Sequence, residues 1–268
     1  MQRIIPHVEE RKRITNLAEL IRREVENTSC EAGLDAEVRI DGSLAKDTWL
    51  SGEGDIDIFM RVSPSLSRTD FETVSLEVAR KAMKGHRIVE RFAEHPYIEA
   101  WVRRTRVNIV PCYRVARGKW QSATDRTPYH TEYMRTHLDY RLRHEVRLLK
   151  KFMKGVGLYG AEAKTRGFSG MLCETLSVAT GSFLNVLQDA SNWKPGRVID
   201  VERYYDGKEE EIPDLFEEPL IVIDPVDSAR NVAASVAGSK LWEFVAASRE
   251  FLRRPRMSFF YPPSVRVY

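Results

Sequence analysis

Two aspartates, Asp55 and Asp57, alternate with Ile56 and Ile58 at the head of an apolar run that continues to Val62. On an extended strand, residues two apart share a face. Both carboxylates therefore project together, while Ile56, Ile58 and Met60 turn towards a core. Carboxylates held that close repel each other, and they stay ionised together when a cation sits between them. A divalent ion with oxygen ligands meets that need. About a dozen residues earlier in such a pattern stands a Gly-Ser turn, here Gly42-Ser43. It supplies backbone N–H groups and a hydroxyl at a helix start, a setting that favours phosphate. A bare Asp-x-Asp is common at solvated strand ends. The Gly-Ser turn, the spacing and the apolar flank shift the reading to a metal site. A third carboxylate is expected from the middle of a neighbouring strand. The alternating stretch RVNIVPCY is that strand, and its middle position is Asn108, an amide.

The elements that must hold these groups follow from periodicity and punctuation. A helix is predicted from Pro6 to Cys30, with Ile14, Leu17, Ile21 and Val25 at helical spacing. Strands are predicted over Asp35 to Ile40, Asp55 to Val62, Arg87 to Phe92, Tyr97 to Arg103 and Arg106 to Tyr113. Pro111 ends the last ladder or marks an edge. A short helix is expected over Ser43 to Trp49, and one capped by Thr69-Asp70 runs to about Met83. From Pro128 the pattern turns helical to Gly155, with a break near Tyr140. Phe168 to Val186 reads as one buried helix, Val198 to Val201 and Leu220 to Ile223 as short strands. Asp227 or Ser228 is expected to cap a helix near Asn231, and Trp242 to Leu252 forms the last helix. The aromatic, Pro-rich segment from Ser258 reads as the beginning of a further region or a tail on the surface.

The segment HEVRLLKKFMKG carries Arg147, Lys150, Lys151 and Lys154 along one helical side. Such a stripe is ordinarily a solvated face. Four cations with no acid among them point instead to an anionic ligand.

The chain has 268 residues, 43% hydrophobic and 30% charged, with a formal net charge of +3. That suits a globular core, and the small net charge argues for nucleic acid only where cations cluster. Cys30, Cys112 and Cys173 form no CxxC pair, and the latter two sit in apolar contexts. With neither a membrane-length apolar run nor a signal-peptide core, a soluble cytoplasmic protein without membrane contact is expected.

Seven stretches occur in order: GSLAKDTWLSGEGDIDIF, AEHPYIEAW, VNIVPCYRV, SATDRTPYHTEYM, HEVRLLKKF, LYGAEAKTRGFSGMLCE and IDPVDSARNVAASV. Through them the chain from about Asp41 onward resembles the archaeal (class I) CCA-adding enzymes, a family of tRNA nucleotidyltransferases. The resemblance implies an α+β fold: a polymerase-β-like nucleotidyltransferase domain with a mixed sheet, then a mostly helical central domain. Mapped here, these are residues 1–127 and 128–257, with 258–268 beginning a tail region that the family continues. It implies transfer of CMP and AMP from CTP and ATP to the tRNA 3′ end, assisted by two Mg²⁺ ions. Asp55 and Asp57 match the family's first two metal-binding acids, and Asn108 stands where the third is Asp. Gly42 and Ser43 match the phosphate-gripping turn. His130, Lys150 and Tyr159 match residues that hold the triphosphate, with Arg126 and Thr127 beside them, and Arg230 matches the arginine that reads the base. His95 reads as structural. In a strand Glu53 would share the face of Asp55, which makes it a candidate substitute for the missing acid, with Gly52 and Gly54 on either side leaving its geometry open. Two other readings stay open, a non-catalytic binder of RNA or nucleotide and an oligonucleotide-synthase-type nucleotidyltransferase. Whether the chain forms a homodimer is also open.

Overall fold

The structure is a computed structural model that describes residues 3–92 and 95–263. Ala93-Glu94 of the AEHPY stretch and residues 264–268 of the expected tail lie outside the described residues. The chain divides between Thr136 and His137 into two compact units.

The first unit is built on a five-stranded sheet. Helix α1 (Val8–Glu31) precedes β1 (Ala36–Asp41), and the short α2 (Gly42–Ala45) leads towards β2 (Ile56–Val62). Helix α3 (Arg68–Ala82) is followed by β3 (Arg87–Phe92), β4 (Pro96–Val102) and β5 (Thr105–Tyr113). The order across the sheet is β1-β2-β5-β4-β3, with β2 and β5 parallel and the other pairs antiparallel. One face carries Val38, Ile56, Ile58, Met60, Val107 and Ile109, which join Ile14, Leu17, Ile21, Phe71 and Val78 in one core. The period-two alternation thus sets one face on hydrophobic helices and leaves the other for polar groups.

Two local expectations change here. The cap of α3 is Ser67, whose hydroxyl accepts from the Asp70 N–H at 3.1 Å; Thr69 and Asp70 lie inside the helix. The segment after Gly42 makes only one helical turn before Lys46. Pro111 marks an edge, one of the two expected alternatives: the ladder to β4 stops at Ile109, while the ladder to β2 continues through Met60–Pro111 to Val62–Tyr113. Residues Arg103 and Arg104 form the two-residue β4–β5 turn, with φ of 49° and 67°. Left-handed backbone costs an L-residue roughly 1–2 kcal/mol, and hairpin turns of this kind ordinarily use Asn-Gly.

Helix α4 (Thr127–His137) lies with this unit almost to its end. Tyr129 donates its hydroxyl to the Val115 carbonyl at 2.6 Å, and Arg39 meets Glu132 at 2.9 Å. These links explain why the division falls after α4, whereas the sequence reading placed it at 127/128.

The second unit contains α5 (Tyr140–Gly155), α6 (Gly170–Thr180), α7 (Phe183–Ala190), β6 (Arg197–Ile199), α8 (Ile212–Leu215), β7 (Leu220–Asp224), β8 (Asp227–Asn231) and α9 (Gly238–Arg253). Strands β6, β7 and β8 form a small sheet in that order. Asp139 caps α5 by accepting from the Leu142 N–H at 2.6 Å, which fixes the break near Tyr140. The expected single helix from Phe168 to Val186 is instead two. Gly181, at φ 81°, ends α6, and Ser182 caps α7 through the Asn185 N–H. The expected helix near Asn231 is also absent. Asp224 accepts from the Val226 N–H at 2.9 Å, the chain reverses, and Asp227–Asn231 pairs with β7 as a strand. Phe259 and Phe260 are half-buried against Phe152, Phe183 and Phe251, while Ser258 and Tyr261 to Pro263 stay exposed, so the aromatic segment lies along the surface of the second core with two rings packed on it. Among the described residues no single helix is long and apolar enough to cross a membrane, and the apolar, bent pair α6–α7 lies in the second unit's core.

Candidate active site

The sheet register assembles the polar face of the first unit row by row. Asp41 pairs with Asp57, Asp57 with Asn108, and Asn108 with Glu99. Directly paired residues share a face. Four polar side chains from four strands therefore stand side by side, on the face opposite the Ile56–Ile58–Ile109 core.

Asp57 is the centre of that row. Asn108 donates its amide N–H to Asp57 Oδ1 at 2.8 Å. On the other side Gly42 comes so close that a Cβ there would lie 2.1 Å from Asp57 Oδ2. Only glycine fits, and its φ of 69° favours one as well. The backbone of the Gly42-Ser43 turn is thereby held against the carboxylate. Burial pushes the Asp57 carboxyl above the usual range, with the Asn108 hydrogen bond opposing the shift and Asp55 adding to it.

Asp55 lies one residue ahead of β2. Its carboxylate is ion-paired with Arg106, which also approaches Glu99 at 3.7 Å. That pairing raises the Arg106 guanidinium pKa further. Glu99 is buried and accepts from Arg91 at 2.8 and 3.1 Å. Asp41 is wholly buried, and neither of its oxygens has a hydrogen-bond partner among the described residues. Arg39 Nε stands 3.7 Å from it, and burial raises its pKa.

The residues present suit a hard divalent cation: the carboxylates of Asp55 and Asp57, the amide oxygen of Asn108, and no soft donor. Cys112 and Cys173 are buried thiols whose pKa is pushed up by burial, the latter to about 12. Yet no three His, Cys, Asp or Glu side chains are grouped as a metal site among the described residues. The cause is visible in the pairings: the third position is an amide, and Asp55 is drawn to Arg106. Glu53, the expected substitute, is exposed in the loop before β2 and not in a strand. Glu99 is the acid that the register brings beside Asn108.

The nucleotide-side residues fall into two groups. In the first unit, Asp125 accepts the N–H groups of Tyr113, Gln121 and Ser122 at 2.7–2.8 Å. This locks the turn that delivers Arg126, Thr127 and, one helical turn later, buried His130. Arg126 stacks over Trp120 at 5.4 Å. His95 bonds Thr124 Oγ1 at 2.7 Å and meets the Phe71 ring edge-on, the structural role expected of it.

In the second unit, Lys150 is buried and pairs with Glu174 at 2.8 Å. The Tyr159 hydroxyl and the Lys150 ammonium both meet Gly170 at the start of α6, where a Cβ would lie 3.0 and 3.6 Å from them. The basic stripe of α5 is accordingly no single solvated face. Arg147 and Lys150 are buried, and Lys151 and Lys154 sit over the rings of Tyr261 and Tyr159. An acid does serve Lys150, supplied by α6. Arg230 stands apart on β8, held by buried Asp224 at 2.6 Å. Sequence reasoning missed Glu99, Arg106 and Asp41. Glu99 lay in a quoted motif, and the alternation of PYIEAWV was the one signal for it.

Residues 22–130 match the family described as nucleotidyltransferase domain, and residues 144–261 match tRNA nucleotidyltransferase, second domain. The chain is 40% identical over 268 residues to the CCA-adding enzyme of Methanosarcina barkeri, covering 99% of this chain and 57% of that protein. It is 41% identical over 270 residues to the CCA-adding enzyme of Methanopyrus kandleri, covering 96% of this chain and 55% of that one. The chain thus spans a little over half the length of these relatives. In fold it is similar to the Cid1 poly(U) polymerase, with a TM-score of 0.73 at 17% identity over 96% of this chain and 94% of that one. It is likewise similar to E. coli CdnC, with a TM-score of 0.70 at 16% identity over 97% and 91% of the two chains.

Proposed function

From a chain that carries a nucleotidyltransferase domain followed by the second domain of the tRNA nucleotidyltransferases, we propose that this protein adds CMP and AMP to the 3′ end of tRNA. The donors are CTP and ATP. The tRNA 3′ oxygen forms a bond to the α-phosphorus, the bond from that phosphorus to the bridging oxygen breaks, and pyrophosphate leaves. The observation that carries the reading is the half-buried Asp57, set between the Gly42 backbone and Asn108, with Asp55 one residue before the strand.

Asp55, Asp57 and Asn108 would hold Mg²⁺, which supplies charge stabilisation for the attacking and leaving oxygens. The chain's own groups orient and bind. Gly42 and Ser43 present N–H groups and a hydroxyl to phosphate. His130, with Arg126 and Thr127, provides donors in the first unit, and Lys150 and Tyr159 provide a charge and a hydroxyl in the second. Arg230 presents a fork of N–H donors suited to the cytosine or adenine edge. We take residues up to 136 as the catalytic domain and those after it as the nucleotide- and tRNA-binding domain.

The test is incubation with tRNA lacking its terminal CCA, Mg²⁺ and labelled CTP or ATP. Label on the RNA 3′ end, lost in Asp57→Asn, supports the reading. No label with either Mg²⁺ or Mn²⁺ overturns it. A second reading, a binder of RNA and nucleotide without turnover, is favoured by the amide at Asn108 and by Arg106 on Asp55. Salt-sensitive tRNA binding with no label transferred would establish it.

A further inference from the structure

Beside Asp55, at the tip of the β4–β5 hairpin, lies a cavity of about 340 Å³. Its walls include Arg13 of α1 and Arg103, Arg104 and Arg106 of the hairpin. Most of its acids are already engaged. Glu10 accepts from the Ser51 hydroxyl and the Gly52 N–H, both at 2.7 Å. Asp55 is taken by Arg106. Arg13, Arg103 and Arg104 are exposed and make no hydrogen bond or ion pair among the described residues. Glu53 is the remaining carboxylate on the wall, and it has partners of its own.

Two further observations say that this charge has a use. Arg103 and Arg104 occupy a turn with left-handed backbone at both positions. A hairpin that only had to reverse would be relaxed by Asn-Gly. Strain kept at consecutive arginines marks side chains that are needed there. The cavity wall also includes Trp101, one face of whose ring is taken by the Arg87 guanidinium at 4.5 Å, so that only its other face can meet a base. A flat aromatic face next to unpaired guanidiniums suits stacked bases and their phosphates. A free triphosphate would use the cations and leave the ring idle.

We propose that this cavity is a second phosphate-binding site, which takes the sugar–phosphate backbone of an RNA strand as it approaches Asp55. This rests on the RNA-extending function proposed above. Arg13, Arg103 and Arg104 contact phosphates, and Trp101 offers a stacking face. Recognition is of the backbone and is independent of base sequence.

The test uses the full chain and a fluorescent tRNA lacking its terminal CCA, in anisotropy titrations over a range of salt. The variants are Arg103→Asn with Arg104→Gly, and the same pair with Arg13→Ala. The turn variants relieve strain, so thermal stability stays equal or rises. Affinity at low salt falls about tenfold or more in the triple variant, and the slope of log Kd against log salt drops by about two, at roughly 0.7–0.9 for each phosphate no longer neutralised. KM for CTP is unchanged. Equal RNA affinity and equal slope in variant and natural chain would overturn the site. So would a raised KM for CTP with RNA binding intact, which would assign the cavity to the triphosphate. Absence of salt-sensitive tRNA binding by the natural chain would instead sink the RNA-extending function itself.

Discussion

Asn108→Asp tests the central row of the site, and its sign depends on whether a metal is present. In the natural chain the Asn108 amide donates to Asp57 Oδ1 at 2.8 Å. The substitution removes that donor, whose loss opposite a charged acceptor is worth about 1.5–3 kcal/mol. It also sets two carboxylates against each other. At an effective dielectric of about 20, unit charges at that separation repel by about 6 kcal/mol, more than the pair will bear. One of them keeps its proton, which at pH 7 costs an acid with an ordinary pKa about 4 kcal/mol at 1.36 kcal/mol per unit. That proton also restores a hydrogen bond in place of the lost amide donor, which leaves mainly the cost of holding it, so the metal-free variant is expected to lose about 2–4 kcal/mol at pH 7. The pair's pKa is raised on folding, so the folded state binds more protons than the unfolded one. Stability then falls as pH rises from the ordinary carboxylate range through the raised value, and the penalty nearly vanishes near pH 4–5. Divalent metal reverses the order by supplying the missing charge. Urea unfolding across pH, with and without Mn²⁺, reads both effects. Equal metal-free stability of the two proteins from acid to neutral pH, together with an unchanged Mn²⁺ stabilisation, would refute the reasoning.

Gly42→Ala forces a Cβ to within 2.1 Å of Asp57 Oδ2 at a φ of 69°. It should cost about 1–2 kcal/mol in backbone alone and, by displacing the carboxylate, about a hundredfold in nucleotide addition; unfolding and single-turnover assays check the two. Glu174→Gln leaves the Lys150 ammonium buried without its counter-charge. About 3 kcal/mol of stability should be lost, as read by urea unfolding at neutral pH. In the natural chain burial raises the Asp57 pKa. Mn²⁺ affinity should therefore decline on acidification from a pH above the ordinary carboxylate range, and a titration of metal binding against pH shows whether it does.

What the sequence made legible was local. The alternation in DIDIFM and RVNIVPCY was enough to place Asp57 and Asn108 on adjacent strands and one face. The break near Tyr140 was also legible, and the structure supplies its cause in the Asp139 cap. What it hid was mostly non-local. Glu99 entered the row only through β4–β5 register, and a reading along the chain chose Glu53, nearer in sequence but in a loop. Arg106 met Asp55 for the same reason. The acid for Lys150 came from α6, 24 residues on, so the α5 stripe looked unbalanced. Other misses were local signals outweighed by context. Gly181 ends a helix within an apolar run, and the Asp-Pro-Val-Asp turn resembles a helix start but closes a hairpin.

The aromatic cluster has a consequence for synthesis. Phe152 of α5, Phe183 of α7 and Phe251 of α9 meet Phe259 and Phe260, joining segments far apart in the chain. At Gly155 the main chain leaves no room for a side chain, since a Cβ would lie 1.9 Å from the Phe259 carbonyl oxygen. On the ribosome, α5 is exposed early with one side of Phe152 still bare. Phe152 gains its last ring neighbours only once Phe259 and Phe260 have left the exit tunnel. The first sheet needs nothing beyond Tyr113 and can form while the rest is being translated. For that interval the nascent chain carries a finished sheet and an open aromatic seam, and a holdase chaperone would recognise the seam.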